Sequence, residues 1–252
     1  MGALKAILAL GLLFCQSLAA TDLLDFEFRK DTPLKERLGI VRGRFQLKKM
    51  KQNSYETATR ILRDEIKSPS IYGCLDFKNF LKFNCEHVVP QSRFYGKESM
   101  VMKSDLHHLY SCFESLNTLR ANLKFADING RKAFFLNASG QIIKKPRKND
   151  GKTCKIYINQ NPEESRFEPN RISKGSIARA CSYFFTRYKN ALSFMSEVID
   201  IPTMIKWHEE DPVSAEEMRR DEIIFKEQGN HNPYITQPAN FLRRVWVGEL
   251  KV

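Results

Sequence analysis

Beyond its first twenty residues, the sequence lacks any apolar run long enough to cross a bilayer. It also has no internal repeat and no low-complexity tract, and 42% of its 252 residues are hydrophobic, which excludes a wholly disordered chain. No two cysteines stand in CxxC spacing, so a zinc cluster of thiolates is disfavoured. The HExxH motif is absent, and its inverted form would need histidine at Phe83, which excludes a zinc metalloprotease.

The first twenty residues have the layout of a cleavable secretory signal. An early lysine precedes an apolar run from Ala6 to Phe14, and small residues follow at 17–20. We therefore expect a signal peptide over 1–20, a single domain over 21–252, and a secreted or periplasmic protein without a membrane anchor. An uncleaved anchor and a lipid-modified Cys15 are the alternatives.

Removal of this signal leaves an odd number of cysteines. In an oxidising compartment some of them should pair, and at least one must stay free or bond to another chain. The sequence predicts at least one disulfide but not its connectivity. The remaining cysteines are Cys74, Cys85, Cys112, Cys154 and Cys181.

Positive charge is in excess, with 41 lysines and arginines against 29 acids and a formal net charge of +12. Such a balance favours a polyanionic partner, because each neutralised phosphate releases condensed counterions. A solvated basic surface with no such partner is the alternative. No base-reading motif such as a zinc finger accompanies the charge.

Helix signals outnumber strand signals along the chain. Ser111 and Glu114 have the spacing of a capping box, which predicts a helix to about residue 122. Apolar residues at helical spacing predict a long helix from about Lys174, and a second capping box predicts a helix from Ser214 to Gly229. Short strands are predicted over 133–136, 141–143 and 155–158. The sequence thus predicts an α+β domain.

Glu86 and His87 are the first candidate site residues. They lie in a predicted short strand that runs into a turn at Pro90, and at a strand end both side chains can border one site. A neutral imidazole can take a proton from water, and a carboxylate can hold a hard cation. A structural or surface pair is the alternative.

Asn117 and Arg120 are the next candidates, three residues apart on one helical face. An amide oxygen can ligate a hard metal ion, and a neighbouring arginine suits a phosphate. An exposed polar helix face, or an ion pair between Arg120 and an acid such as Asp105, is the structural alternative.

Together these motifs resemble the bacterial endonuclease I family. The likeness spans roughly 61–235 and continues through a long central helix from Lys174 and a C-terminal signature. The motifs are Glu86-His87-Val88-Val89-Pro90-Gln91-Ser92, Ser104-Asp105-Leu106-His107-His108-Leu109, Asn117-x-x-Arg120-x-Asn122, Lys174-Gly175-Ser176-Ile177-Ala178-Arg179-Ala180, Trp207-His208 and Gln228-Gly229-Asn230-His231-Asn232-Pro233.

The resemblance implies a ββα-metal core wrapped by additional helices. It implies that Glu86 and Asn117 hold one Mg²⁺, for which Mn²⁺ can substitute, and that His87 is the general base. The implied function is endonucleolytic hydrolysis of DNA and RNA to 5′-phosphate products. The expected protein is a monomer that contacts the phosphate backbone and has little sequence preference.

The sequence departs from the family pattern at two positions. Lys103 stands where the family usually has glutamate, and His108 stands where it usually has asparagine. Lys103 could weaken the metal site or contact a phosphate. Arg120 and Arg93 are the other candidates for a phosphate contact. His107 and Asn122 are expected to be structural residues near the site. These departures keep two alternatives open: a catalytically weakened homologue for adhesion or uptake of nucleic acid, and a secreted nuclease effector.

Overall fold

The structure is a computed structural model, and it describes residues 28–29, 31–73, 83–129, 133–144 and 153–248. The expected signal peptide and Cys74 lie outside the described residues. No helix in the described part of the chain is long and apolar enough to cross a membrane.

Ten α-helices are formed by the described residues, with short 3₁₀ segments between several of them. The helices are α1 (Leu34–Arg44), α2 (Tyr55–Ile61), α3 (Ser99–Ser104), α4 (Glu114–Arg120), α5 (Lys174–Arg187), α6 (Met195–Val198), α7 (Ile201–Glu210), α8 (Ala215–Gln228), α9 (Pro233–Thr236) and α10 (Phe241–Trp246).

The strands form two small sheets. The strands are β1 (Phe83–His87), β2 (Leu109–Phe113), β3 (Lys124–Phe125), β4 (Phe134–Leu136), β5 (Ile142–Ile143), β6 (Cys154–Tyr157) and β7 (Arg166–Glu168). β1 and β2 pair antiparallel, and the other five follow the order β3-β7-β6-β4-β5. The predicted α+β class is confirmed, as are the three short strands to within about one residue at either end.

α5 lies at the centre of the core. Nearly all of its residues are buried, and it packs against α7, which contributes the fully buried Trp207. The helix begins at the predicted Lys174 but ends at Arg187, and a 3₁₀ segment follows it. The predicted capping box at Ser214 is confirmed, and Gly229 ends α8 in the left-handed conformation that favours glycine.

The predicted capping box at Ser111 is wrong. Ser111 lies within β2 and pairs with Cys85 of β1, and the following helix α4 begins three residues later at Glu114. The inter-strand hydrogen bonds of this hairpin override the local capping signal, because they engage the backbone that a cap would need. As a result α4 follows directly on β2 and packs against both strands.

Candidate active site

A pocket of about 480 Å³ opens where β1 ends beside α4. It brings together the predicted general base His87 and both predicted metal ligands, Glu86 and Asn117, from two different elements. The full lining is Tyr55, Asn84, Cys85, Glu86, His87, Pro90, Gln91, Ser92, Asn117, Arg120, Ala121 and Asn122.

Glu86 is a buried carboxylate, with only 2% of its surface exposed. The Tyr72 hydroxyl donates to its Oε1 at 2.6 Å, and Arg120 Nη1 lies 3.0 Å from the same oxygen. Burial raises the pKa of the Glu86 carboxyl, while Arg120 and Tyr72 act in the opposite direction. Since both contacts use Oε1, a ligand at this carboxylate would use Oε2.

His87 is held in one tautomer by its surroundings. Its Nε2 lies 3.0 Å from the Lys103 carbonyl, which can only accept, so Nε2 carries the proton. Burial, with a smaller contribution from His108, lowers the pKa of His87 to about 3, so the ring is neutral near pH 7. Its Nδ1 therefore has a free lone pair, which is what a general base requires.

Asn117 lies on α4 beside the strand end. Its Nδ2 donates to the Cys85 carbonyl at 3.4 Å, which leaves Oδ1 as the amide atom that a cation could use. Asn117 is half-buried, unlike the fully buried Leu116 next to it. The amide and the Glu86 carboxylate thus line the same pocket from helix and strand.

Arg120 does not match the phosphate contact predicted for it. Its side chain is 1% exposed and its Nη atoms donate to the carbonyls of His87 at 3.1 Å and Val88 at 2.6 Å. The guanidinium also lies 4.4 Å from the centre of the Phe125 ring. It forms the ion pair foreseen as its structural alternative, but with Glu86 rather than with Asp105.

The other two candidate phosphate contacts differ in their surroundings. Arg93 follows the turn at Pro90 and forms an ion pair with Glu197, so its charge is already partnered. Lys103 is half-buried on α3, and its ammonium lies 4.6 Å from the centre of the Tyr55 ring. No salt bridge to Lys103 is formed by the described residues. Lys103 is therefore the better placed of the two to meet a phosphate.

His107 and Asn122 occupy different environments. His107 is buried, its Nε2 lies 2.9 Å from the Asn230 carbonyl, and its ring packs on Tyr183. These contacts fit the structural role predicted for His107. Asn122 is exposed and lines the pocket, so no buried contacts of this kind support the structural role predicted for it.

A buried polar network behind the site was not predicted from the sequence. Asp105 accepts hydrogen bonds from the Tyr188 hydroxyl at 2.8 Å and from Gln228 Nε2 at 2.9 Å. These bonds connect the segment that carries Lys103 to Tyr188, directly after α5, and to the last residue of α8. The C-terminal signature that contains Gln228 thus supports the segment behind the pocket. In the sequence, Gln228 was marked only as part of that family motif.

The donor set fits a hard cation that keeps several water molecules. Glu86 and Asn117 offer oxygen atoms, and burial raises the pKa of the nearby Cys85 thiol to about 12, so a thiolate ligand is disfavoured. Within the described residues, no group of three or more histidine, cysteine, aspartate or glutamate side chains is placed to hold a metal ion. Water would therefore complete the coordination shell of a Mg²⁺ ion here.

Comparison with known proteins places most of the residues that line this pocket inside a recognised sequence region. The sequence model of the Endonuclease I family matches residues 76–239, well over half of the chain. The match includes Glu86, His87 and Asn117, whereas Tyr55 and Tyr72 lie upstream of it.

Individual relatives are similar over a comparable stretch. The chain is 27% identical over 170 residues to an extracellular ribonuclease of Bacillus amyloliquefaciens, covering 62% of this chain and 51% of that protein. It is 30% identical over 155 residues to endonuclease-1 of Buchnera aphidicola subsp. Baizongia pistaciae, covering 60% of each. It is 27% identical over 189 residues to an extracellular deoxyribonuclease of Aeromonas hydrophila, covering 67% and 74%. The chain thus spans about half to three-fifths of the first two relatives.

Proposed function

Because this chain belongs to the endonuclease I family, we propose that it is a secreted, metal-dependent endonuclease that hydrolyses DNA and RNA to 5′-phosphate products. The observation that carries the proposal is the grouping of Glu86, His87 and Asn117 around one pocket. The names of the relatives, which include an extracellular ribonuclease and an extracellular deoxyribonuclease, support both substrates and secretion.

The hairpin of β1 and β2 followed by α4 is, in this proposal, the ββα-metal core. Glu86 and Asn117 would hold one Mg²⁺ or Mn²⁺ ion. When bound, that ion supplies positive charge to the phosphate oxygens and to the leaving 3′ oxygen.

His87 is the general base of the proposed reaction. Its Nδ1 takes a proton from a water molecule as the water oxygen attacks phosphorus, and the bond from phosphorus to the 3′ oxygen breaks. The leaving 3′ oxygen takes a proton from solvent, so the products are a 5′ phosphate and a 3′ hydroxyl. The hydrogen bond from Nε2 to the Lys103 carbonyl keeps Nδ1 unprotonated for this step.

Lys103 and other surface cations would contact the phosphate backbone. The net charge of +12 supports this mode of binding, and backbone contacts carry no sequence information. Arg120 is assigned here to holding Glu86 rather than to holding substrate.

The rival is a catalytically weakened homologue that only binds nucleic acid. Lys103, which replaces an acid usual in the family, is the residue that favours it. The fixed tautomer of His87, which leaves Nδ1 unprotonated, supports retained catalysis. A secreted effector would share the same chemistry and differ only in its target.

The proposal is tested by incubating the mature protein with supercoiled plasmid and with RNA, in Mg²⁺ and in chelator. The expected result is cleavage of both in Mg²⁺ only, with ends that a polynucleotide kinase can label only after phosphatase treatment. Tight binding without cleavage in Mg²⁺ or Mn²⁺ would support the weakened homologue instead.

A further inference from the structure

Tyr55 is part of the pocket wall although it lies upstream of the region that the family model matches. It is the first residue of α2, which Ser54 caps by accepting a hydrogen bond from the Thr57 amide at 3.0 Å. α2 packs against α3, the helix that carries Lys103. The neighbourhood of His87 is thus completed by an element outside the matched residues.

Tyr55, Lys103 and His87 contact one another in all three pairings. The rings of Tyr55 and His87 stack with centroids 5.6 Å apart and planes 18° apart. The Lys103 ammonium lies 4.6 Å from the centre of the Tyr55 ring, and the Lys103 carbonyl accepts the hydrogen bond from His87 Nε2 at 3.0 Å. We call these three residues the aromatic clamp.

The two contacts on His87 restrain different motions. The hydrogen bond fixes the position of Nε2, but an imidazole bound at one nitrogen can still turn, because its outer torsion is broad. The stacked Tyr55 ring restricts that turn, and the edge of Phe94 at 5.8 Å and 74° restricts it from another direction. The position of Nδ1 therefore depends on the Tyr55 ring.

The second contact of Tyr55 places a positive charge on the ring that stacks against His87, next to the pocket. A cation is attracted to the face of an aromatic ring, so the Tyr55 ring favours one position of the flexible lysine side chain. Lys103 is half-buried and forms no salt bridge with a described residue, so its charge is available to a phosphate. The lysine that stands in place of the usual acid therefore has the Tyr55 ring as a contact for its ammonium.

We propose that Tyr55 is a positioning residue of the nuclease site, whose ring orients His87 and holds the Lys103 ammonium where it meets a substrate phosphate. The inference rests on the proposed function. It assigns to Tyr55 no contact with the reacting atoms.

The hydroxyl and the ring of Tyr55 are separable by mutation. The hydroxyl interacts with the Cys85 thiol, whereas both clamp contacts use the ring. Tyr55→Phe should therefore keep kcat near the wild-type value. Tyr55→Met removes the ring while filling much of its volume, and kcat should fall about ten- to a hundred-fold, since a misplacement of about 1 Å can cost that much.

The matched control is Tyr95→Met. Tyr95 lies on the loop after Arg93, its ring packs on Phe194, and it is 53% exposed. The same substitution there should leave kcat unchanged. A second variant, Lys103→Gln, keeps the main-chain carbonyl and removes the charge, so it should raise KM and make the salt slope of binding shallower by about one unit while kcat changes less.

Nitrogen-15 NMR of the His87 ring at one fixed pH tests the clamp without any reaction. Wild type, Tyr55→Phe, Tyr95→Met and Lys103→Gln should show protonated Nε2 and bare Nδ1 with sharp ring signals. Tyr55→Met keeps the Nε2 hydrogen bond, so it should keep this tautomer but show broadened ring signals from a ring that turns about that bond. If the wild-type protein cleaves nothing, the proposed function fails, yet this spectrum still decides whether Tyr55 orients His87.

The inference is overturned if folded Tyr55→Met retains the wild-type kcat and the wild-type His87 spectrum. Should Tyr55→Met not fold, Lys103→Gln decides, and an unchanged KM and salt slope would contradict the clamp. A loss of kcat in Tyr55→Phe equal to that in Tyr55→Met would also contradict it, because the hydroxyl would then be the important group.

Discussion

The Arg120 guanidinium lies 3.0 Å from Glu86 Oε1, and both side chains are almost fully buried. The same guanidinium donates to the carbonyls of His87 and Val88. One arginine at the end of α4 therefore fixes the carboxylate and the backbone of the β1 end together. This contact links the helix that carries Asn117 to the strand that carries Glu86.

Removal of Arg120 should lower the free energy of unfolding and leave the salt dependence of DNA binding unchanged. Arg120→Met leaves the buried Glu86 carboxylate without its cation, and loss of one partner of a buried pair costs about 3–5 kcal/mol. Denaturant unfolding should show this loss. The dependence of DNA affinity on salt, measured in a His87→Ala background, should keep its slope.

The opposite pattern would identify Arg120 as a phosphate contact. In that case stability would hardly change, and the salt slope would become shallower by about one unit. The two outcomes can be distinguished because the free energy of unfolding is measured without nucleic acid, whereas the salt slope is measured with DNA.

Removal of either proposed metal ligand should raise the metal requirement. Glu86→Gln removes the negative charge and one carboxylate oxygen, and Asn117→Ala removes the amide oxygen, so the Mg²⁺ concentration for half-maximal cleavage should rise by about ten-fold or more. Asn122→Ala is the matched control, because Asn122 is an exposed amide at the same pocket. An equal shift in the control, or none in the two ligand variants, would place the ion elsewhere.

The pairing of Glu86 and His87 at one site was predictable because it depends on local sequence. β1 ends at His87, shortly before Pro90, and both side chains border the pocket at this strand end. The shared helical face of Asn117 and Arg120 was also predictable from the sequence, since the two residues are three apart.

The partners of these residues were not predictable. Arg120 pairs with Glu86 only because α4 begins at Glu114 and packs against β1, and the start of that helix was predicted two residues too early. Tyr72 and Tyr55 reach the site from segments with no motif or periodicity that marks them. Contacts of this kind depend on tertiary packing, which the sequence pattern does not encode locally.

His231 should make stability depend on pH. Its Nδ1 lies 2.5 Å from Asp221 Oδ2, and this hydrogen bond raises the pKa of His231 above its usual 6.5. A raised folded-state pKa gives stability that is fully present below the unfolded value and is lost as pH rises through the folded value. His231→Gln should therefore reduce the free energy of unfolding more at pH 5.5 than at pH 9.

The control for His231 has the opposite sign. Burial lowers the pKa of His208, so its contribution is lost on acidification rather than gained. His208→Gln should cost less stability at pH 5.5 than at pH 9. Parallel pH trends in the two variants would refute the assignment to the Asp221 pair.

A disulfide in the exported protein stays a prediction. Cys112 and Cys181 are buried free thiols, and Cys85 is a half-buried free thiol. Cys74 lies outside the described residues, so the connectivity stays open. Peptide mapping without reductant should find at least one disulfide, and reduction should lower the melting temperature, since a native disulfide is worth about 2–5 kcal/mol. Five free thiols would disprove it.

The most direct test of the account is the cleavage rate of His87→Ala on plasmid DNA in saturating Mg²⁺, with DNA affinity measured in parallel. If His87 is the general base, the rate should fall by about two to four orders of magnitude while affinity stays within a few-fold of wild type. Cleavage by His87→Ala at close to the wild-type rate would contradict the account, because the pocket of Glu86, His87 and Asn117 would then not be the catalytic centre.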